Sequence, residues 1–200
     1  MPRRSTNTTS PTSSPRADLR SDLELIDAVN HGDAGAFDAL YLRHRDYAIR
    51  IAMRFSGQRE VALDAVQDSF VYFYKKFPGF TLTAKLTTFL YPVLKHNALA
   101  AKGKARRAQG DHSDEILQAQ PDPDRAGDPA QADAPGDLHA ILANLPEAQR
   151  EVLVLRFVDG LALEDIANAL DIPLGTVKTR IHHAIKKLRD DPIAKKHFAP

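Results

Sequence analysis

Residues 163–181, LEDIANALDIPLGTVKTRI, constrain this chain more than any other stretch. Leu163, Ile166 and Leu170 recur at helical spacing, and Ala167 is small where two helices must come close. Asp171-Ile172-Pro173 breaks that helix, and Val177, Ile181, Ala184 and Leu188 then give a second helix its inward stripe. The pattern is a helix-turn-helix. The turn position that often holds Gly is Asp171, a residue that tolerates a left-handed backbone better than most. The second helix carries Lys178, Arg180, Lys186, Lys187 and Arg189, with no acid between Leu174 and Arg189. Such a helix suits the DNA major groove; the plainer alternative is an amphipathic helix with a solvated basic face.

Charge is uneven along the chain although the formal net charge is only +1. Lys95, Lys102, Lys104, Arg106 and Arg107 form an all-basic stretch, whereas Asp111 to Asp137 holds eight acids against Arg125 alone. Two positive surfaces joined by a negative tether suit two contacts with a polyanion. The chain has no Cys, which excludes disulfides, thiolate nucleophiles and cysteine zinc sites. No apolar run approaches the ~20 residues needed to span a bilayer, and residues 1–20 lack the apolar core of a secretory signal. No membrane insertion and a cytoplasmic location are therefore expected. No nucleophile–base pairing or phosphate loop occurs, so an enzyme is not expected.

Helical periodicity runs through the rest. Ser21 and Glu24 form a capping box for a short helix ending at His31-Gly32. Asp33 caps a longer one, with Phe37, Leu40, Tyr41, Tyr47, Ala48, Ile51 and Phe55 inward, ended by Ser56-Gly57. A third helix is expected from about Arg59 to Phe77, with Ala62, Val66, Phe70 and Phe73 inward, and a fourth from near Thr83 through Leu86, Phe89, Leu90, Val93 and Leu94. Pro92 falls inside the fourth and should kink it. Asp137 is a good N-cap for Leu138, Ile141, Leu142 and Leu145, and Pro146 opens the helix before the helix-turn-helix. The expected fold is all-α: a disordered tail over 1–20, a helical domain over 21–107, a flexible acidic linker over 108–136, a helix-turn-helix domain over 137–191 and a tail over 192–200.

Two runs carry a family resemblance. LPEAQREVLVLRFVDGLALEDIANALDIPLGTVKTRIHHAIKKLR resembles the fourth-region domain of bacterial RNA polymerase sigma factors of the extracytoplasmic-function class. ALDAVQDSFVYFYKKFPGF resembles that family's second-region signature, here Asp64, Val66, Gln67, Asp68, Ser69 and Phe70, and FLYPVLKHNALA looks like its promoter-melting helix. The resemblance covers about residues 21–107 and 137–191.

It implies a transcription initiation factor that binds core RNA polymerase, directs it to promoter DNA and helps melt it. Asp64, Gln67 and Asp68 would face polymerase. Lys95, Lys102 and Arg106, with Lys104 and Arg107, would supply charge for the downstream element, and Phe80 and Tyr91 aromatic surfaces for unstacked bases. His96 and Asn97 would reach base edges. Core packing is the competing role for the aromatics, above all for Phe89, which stands where the family usually has Trp. An acid common shortly after the Asn is replaced by Ala101. In the fourth-region domain Lys178, Thr179, His182 and His183 would lie nearest the bases of the upstream element, with Thr176 and Lys186 also outward and Arg180, Lys187 and Arg189 at phosphates.

The acidic linker would either thread a basic channel of the polymerase or serve as a plain spacer. Many such proteins also take an anti-sigma partner, and no sequence feature identifies one. No cofactor and no metal are expected: His182-His183 lack the further ligands of a site, as do His31, His44, His96, His112 and His139. The competing function is a helix-turn-helix regulator with a helical sensory domain that does not bind polymerase as a sigma subunit.

Overall fold

A computed structural model of the chain describes residues 18–108 and 141–191. The described residues are helical. The N-terminal unit holds α1 (Asp22–Asn30), α2 (Ala34–Ser56), α3 (Arg59–Tyr74) and α4 (Leu86–Ala108). The C-terminal unit holds α5 (Glu147–Phe157), α6 (Leu163–Leu170) and α7 (Leu174–Asp190), preceded by a helical turn over 141–143. The expected linker, apart from residue 108, and both expected tails, apart from residues 18–20, lie outside the described residues, as does the Asp137 cap.

The helix ends follow local chemistry. The Ser21 N–H and hydroxyl both donate to the Glu24 carboxylate, at 2.6 and 2.7 Å, and the Glu24 N–H donates back to Ser21 Oγ at 3.3 Å. Asp33 accepts from the Ala36 N–H at 3.2 Å to cap α2, and Gly57 ends it in the left-handed region at φ 73°. Three elements differ from expectation. α3 stops at Tyr74 rather than near Phe77, because the Lys76 and Phe77 N–H groups turn back to the Phe73 and Tyr74 carbonyls ahead of Pro78. α4 starts at Leu86 rather than Thr83. Pro92 lies inside it, as expected, exposed on its surface. Residues 18–20 are tied down rather than tail-like: Arg20 pairs with Asp18 at 2.7 Å and Asp33 at 3.1 Å, and Arg43 holds the Asp18 and Arg20 carbonyls. The Arg20 side chain and N–H beside Asp18 hold its carboxyl at about 2.

α4 is the common wall. α2 and α3 pack on it from the N-terminal unit and α6 from the C-terminal unit. Leu86, Leu90, Tyr91, Leu94 and Ala98 are all buried along it. Burial of side chains such as Leu40, Ile51, Phe73 and Leu90 contributes about 1.5–3 kcal/mol each. Phe73 also sits in a ring cluster with Phe37, Phe77, Phe80 and Phe89, with centroids 5.2–5.6 Å away. Val152, Leu155, Ile166 and Val177 belong to the same continuous apolar cluster as these N-terminal residues. A second, smaller cluster of Leu142, Leu145, Leu153 and Ala184 anchors α7 to α5 and the 141–145 segment.

The helix-turn-helix forms as its periodicity requires. Ile166, Val177 and Ala184 are buried, Ile181 is half-buried, and Asp171 caps α6 in the left-handed region at φ 51°. That backbone penalises a β-branched side chain. Asp171→Val should therefore lower stability by about 1–2 kcal/mol, whereas Asp171→Gly should hold or raise it, as read by urea denaturation.

Candidate nucleic-acid interface

The outward face of α7 is assembled by the burial of its inward one. With Val177 and Ala184 buried, Lys178, Thr179, His182, His183 and Lys186 are exposed together on the helix, and Thr176 and Arg180 flank them half-buried. Thr179 Oγ1 donates to the Gly175 carbonyl at 2.9 Å, which fixes its rotamer. The two imidazoles lie 5.9 Å apart, centroid to centroid. No grouping of metal-binding side chains occurs among the described residues.

The downstream set is arranged differently. Its members share α4 and the loop before it, yet several are occupied. Tyr91 is fully buried, and its hydroxyl donates to Glu151 Oε1 at 2.6 Å. Burial first, and then the Glu151 carboxylate, push its phenol far above the usual tyrosine range. Lys95 Nζ meets the same Glu151 oxygen at 2.6 Å and lies 5.4 Å from the Phe55 ring centroid. Asn97 donates from its amide to Ser69 Oγ at 3.0 Å, and Ser69, itself buried, donates to the Ala65 carbonyl at 2.6 Å. That chain of bonds ties α4 to α3, so Asn97 has a packing task as well as an outward edge. Phe80 is half-buried in the ring cluster, 5.0 Å from Phe89, and its N–H and carbonyl are both held by the Asn30 side chain. His96 is exposed, and Lys102 and Arg106 are half-buried farther along the helix. A cavity of about 950 Å³ lies between the 80–84 loop, Pro92 and the helix-turn-helix residues Asn168 and Pro173.

On α3, Asp64, Gln67 and Asp68 all face solvent. Beside Gln67 runs an apolar groove of about 500 Å³ lined by Phe37, Tyr41, Leu63, Val71 and Tyr74. Leu63, Val71 and Tyr74 are 41%, 45% and 55% exposed, a large apolar surface left uncovered. The sequence held its signal: positions 63, 67, 71 and 74 repeat at helical spacing on a helix whose inward stripe lies elsewhere.

Comparison with known proteins settles the family. Residues 40–108 match the Sigma-70 region 2 model and residues 141–190 the Sigma-70 region 4 model. The chain is 31% identical over 177 residues to the RNA polymerase sigma-H factor of Pseudomonas aeruginosa, covering 82% of this chain and 89% of that one. It belongs to the RNA polymerase sigma factors of the extracytoplasmic-function type.

Another sigma factor of this type, SigM of Mycobacterium tuberculosis, is 31% identical over 169 residues, covering 84% of this chain and 83% of its own. The fold matches CnrH, solved in complex with the cytosolic domain of CnrY, at a TM-score of 0.60, with 22% identity over 84% of this chain and 95% of that one. The sigma factor RpoE of Bartonella quintana, solved with the anti-sigma factor NepR, matches at 0.54, with 24% identity over 77% of this chain and 94% of that one. As a sigma factor the chain directs core RNA polymerase to promoters and is not an enzyme. The region 2 match in front of region 4 decides against a sensory-domain regulator. Among the described residues no helix is long and apolar enough to cross a membrane.

The Ser69–Asn97 link gives a test of how α4 is held. Ser69→Ala should cost about 1 kcal/mol by leaving the half-buried Asn97 amide short of a partner. Thermal melting of the variant measures it.

Proposed function

We propose that the two units of this sigma factor divide the promoter between them. Residues 21–107 bind core polymerase and open the downstream element, residues 108–136 tether the units, and residues 137–191 read the upstream element as duplex. The observation that carries this reading is the α7 face: Lys178, Thr179, His182, His183 and Lys186 stand exposed in one register while Val177 and Ala184 anchor the other side. Lys178 would contact a guanine edge, the commonest specific contact. Thr176, Thr179, His182, His183 and Lys186 would complete the readout, and Arg180, Lys187 and Arg189 would neutralise phosphates.

Downstream, Phe80 and Tyr91 would receive unstacked bases, His96 and Asn97 would meet base edges, and Lys95, Lys102 and Arg106 would track the backbone. Asp64, Gln67 and Asp68 would pair with polymerase. The apolar groove beside them supports that role, since a charged rim around an apolar centre is the usual anatomy of a protein interface. The protein would act in the cytoplasm, where polymerase works, and would accept an anti-sigma partner, as the RpoE of like fold does with NepR.

Three outcomes test these roles. Lys178→Ala or His182→Ala should change which upstream elements are selected from a promoter library while core binding stays intact; unchanged selection would remove them from the readout. Arg180→Ala should weaken binding to all promoters alike and lower the salt slope of promoter binding by about one. Asp64→Arg with Asp68→Arg should weaken binding to core polymerase at least about tenfold, as expected for like charge placed at an interface. Titration of labelled chain against core measures it, with circular dichroism showing the fold retained.

A further inference from the structure

Two sets of polar contacts reach far along the sequence. One set joins the units: Arg54 meets Asp159 at 2.8 Å, Lys95 meets Glu151 at 2.6 Å and Lys85 meets Asp165 at 3.0 Å. The other lies within the N-terminal unit and converges on one side chain. Asn30, the last residue of α1, accepts the Gly79 N–H at 2.7 Å and the Phe80 N–H at 3.1 Å on Oδ1. Its Nδ2 donates to the Phe80 carbonyl at 2.9 Å. Gly79, at φ 97°, makes the turn that brings both N–H groups to the one oxygen.

The segment that Asn30 holds has little else to fix it. Residues 78–84 form neither helix nor strand. Among the described residues, every hydrogen bond of their backbone runs to Asn30. Beyond them α4 begins, where the Thr88 and Phe89 N–H groups donate to the Lys85 carbonyl at 3.0 and 3.3 Å. Open spaces flank the middle of the segment, about 950 Å³ on the side of Tyr72 and Pro92 and about 590 Å³ on the side of Asp22 and His44. Phe80 is therefore held twice: its backbone by Asn30, and its ring by Phe73 and Phe89, with centroids 5.2 and 5.0 Å away. The chemistry of the hold is specific. Two N–H groups and a carbonyl need one partner that both accepts and donates. A primary amide does both, a carboxylate only accepts, and an alkyl group does neither. Fixing irregular backbone costs conformational entropy at every residue, so these three bonds decide whether the segment keeps one shape.

We infer that Asn30 is a positioning residue for promoter opening: it fixes the shape of residues 78–84, so that Phe80 and the exposed Thr81 and Thr83 meet the unstacked downstream strand already arranged. Asn30 acts through that segment and not on the DNA. The role rests on the assignment of Phe80 to the downstream element made above. A segment arranged beforehand binds without first being ordered, and that saving is what Asn30 contributes to opening.

The test uses the full chain with core polymerase, on a promoter that the unaltered chain opens. Permanganate reactivity of unpaired thymines reads opening. Because the sequence contains no cysteine, Thr81→Cys gives a single exposed site for a nitroxide, whose spectral line shape reads the order of the segment. Asn30→Ala should lower opening about tenfold, as expected if about one molecule in ten keeps the competent shape, and should sharpen the nitroxide spectrum. Affinity for core polymerase and protection of the upstream element should not change. Asn30→Asp keeps the acceptor and loses the donor, and should fall between Asn30→Ala and the unaltered chain on both readouts. Ser21→Ala removes the capping box at the opposite end of α1, and should alter neither readout.

Undiminished opening by Asn30→Ala overturns the positioning role, as does a nitroxide spectrum that Asn30→Ala leaves unchanged. An equal loss in Ser21→Ala also overturns it, because Asn30 would then be a general support of α1, and so does an Asn30→Asp chain no better than Asn30→Ala. Phe80→Ala is the separate readout of the functional reading. If Phe80→Ala loses opening while Asn30→Ala does not, that reading stands and the positioning role falls. If Asn30→Ala loses opening while Phe80→Ala does not, the stacking role of Phe80 falls and the hold of Asn30 on the segment stands.

Discussion

The buried stripe of α4, Leu86, Leu90, Tyr91, Leu94 and Ala98, is the surface on which the rest of the structure depends. α2 and α3 cover it from one side and the C-terminal unit approaches from another through α6. A helix covered from both sides can have few polar groups on those sides, and a hydrogen-bond partner offsets the cost of burying one. That is why the Tyr91 hydroxyl is matched to Glu151 and the Asn97 amide to Ser69. The same helix turns polar and basic beyond Ala98, where Lys102, Lys104, Arg106 and Arg107 run on past the core. One continuous element thus carries packing at its start and charge at its end, which holds the cationic segment at a defined place on the molecule.

The C-terminal unit solves the opposite problem. Its helix-turn-helix is small, and α7 has only Val177 and Ala184 fully buried, so most of that helix is surface. Its position comes from a few well-placed anchors: the left-handed Asp171, Ala167 packed against the main apolar cluster, and the small cluster with Leu142, Leu145 and Leu153. A helix held by few contacts on one side can offer nearly all of its other side to a groove. The polar seam with the N-terminal unit lies on α5, α6 and the α5–α6 turn, away from the α7 face, so the two tasks do not compete for the same residues.

Local chemistry was legible in the sequence. The Ser21–Glu24 box, the Asp33 cap, the Gly57 stop and the alternation of buried and exposed positions on α7 all follow from residues within one or two turns of each other. What escaped was non-local. Tyr91 and Glu151 are 60 positions apart, Arg54 and Asp159 are 105 apart, and no periodicity links them. Lys95 therefore read as a free cation and Tyr91 as an even choice between core and surface, although the fold buries one and pairs the other. Asn97 read as a base contact alone, because its bond to Ser69 appears only once α3 and α4 are side by side. The end of α3 was misplaced by the weak local cost of carrying a helix to the residue before Pro78. The apolar groove beside Gln67 was readable in principle, as a second stripe on α3.

Chemical modification of tyrosines addresses the double covering of α4 most directly. Nitration requires an accessible phenol that can ionise, and Tyr72 and Tyr74 are 43% and 55% exposed whereas Tyr91 is 0% exposed. In the free, full-length chain, peptide mapping after brief treatment with a nitrating reagent should find Tyr72 and Tyr74 modified and Tyr91 untouched. Modification of Tyr91 at the rate of Tyr74 would show that the C-terminal unit does not rest on α4, and would contradict the account.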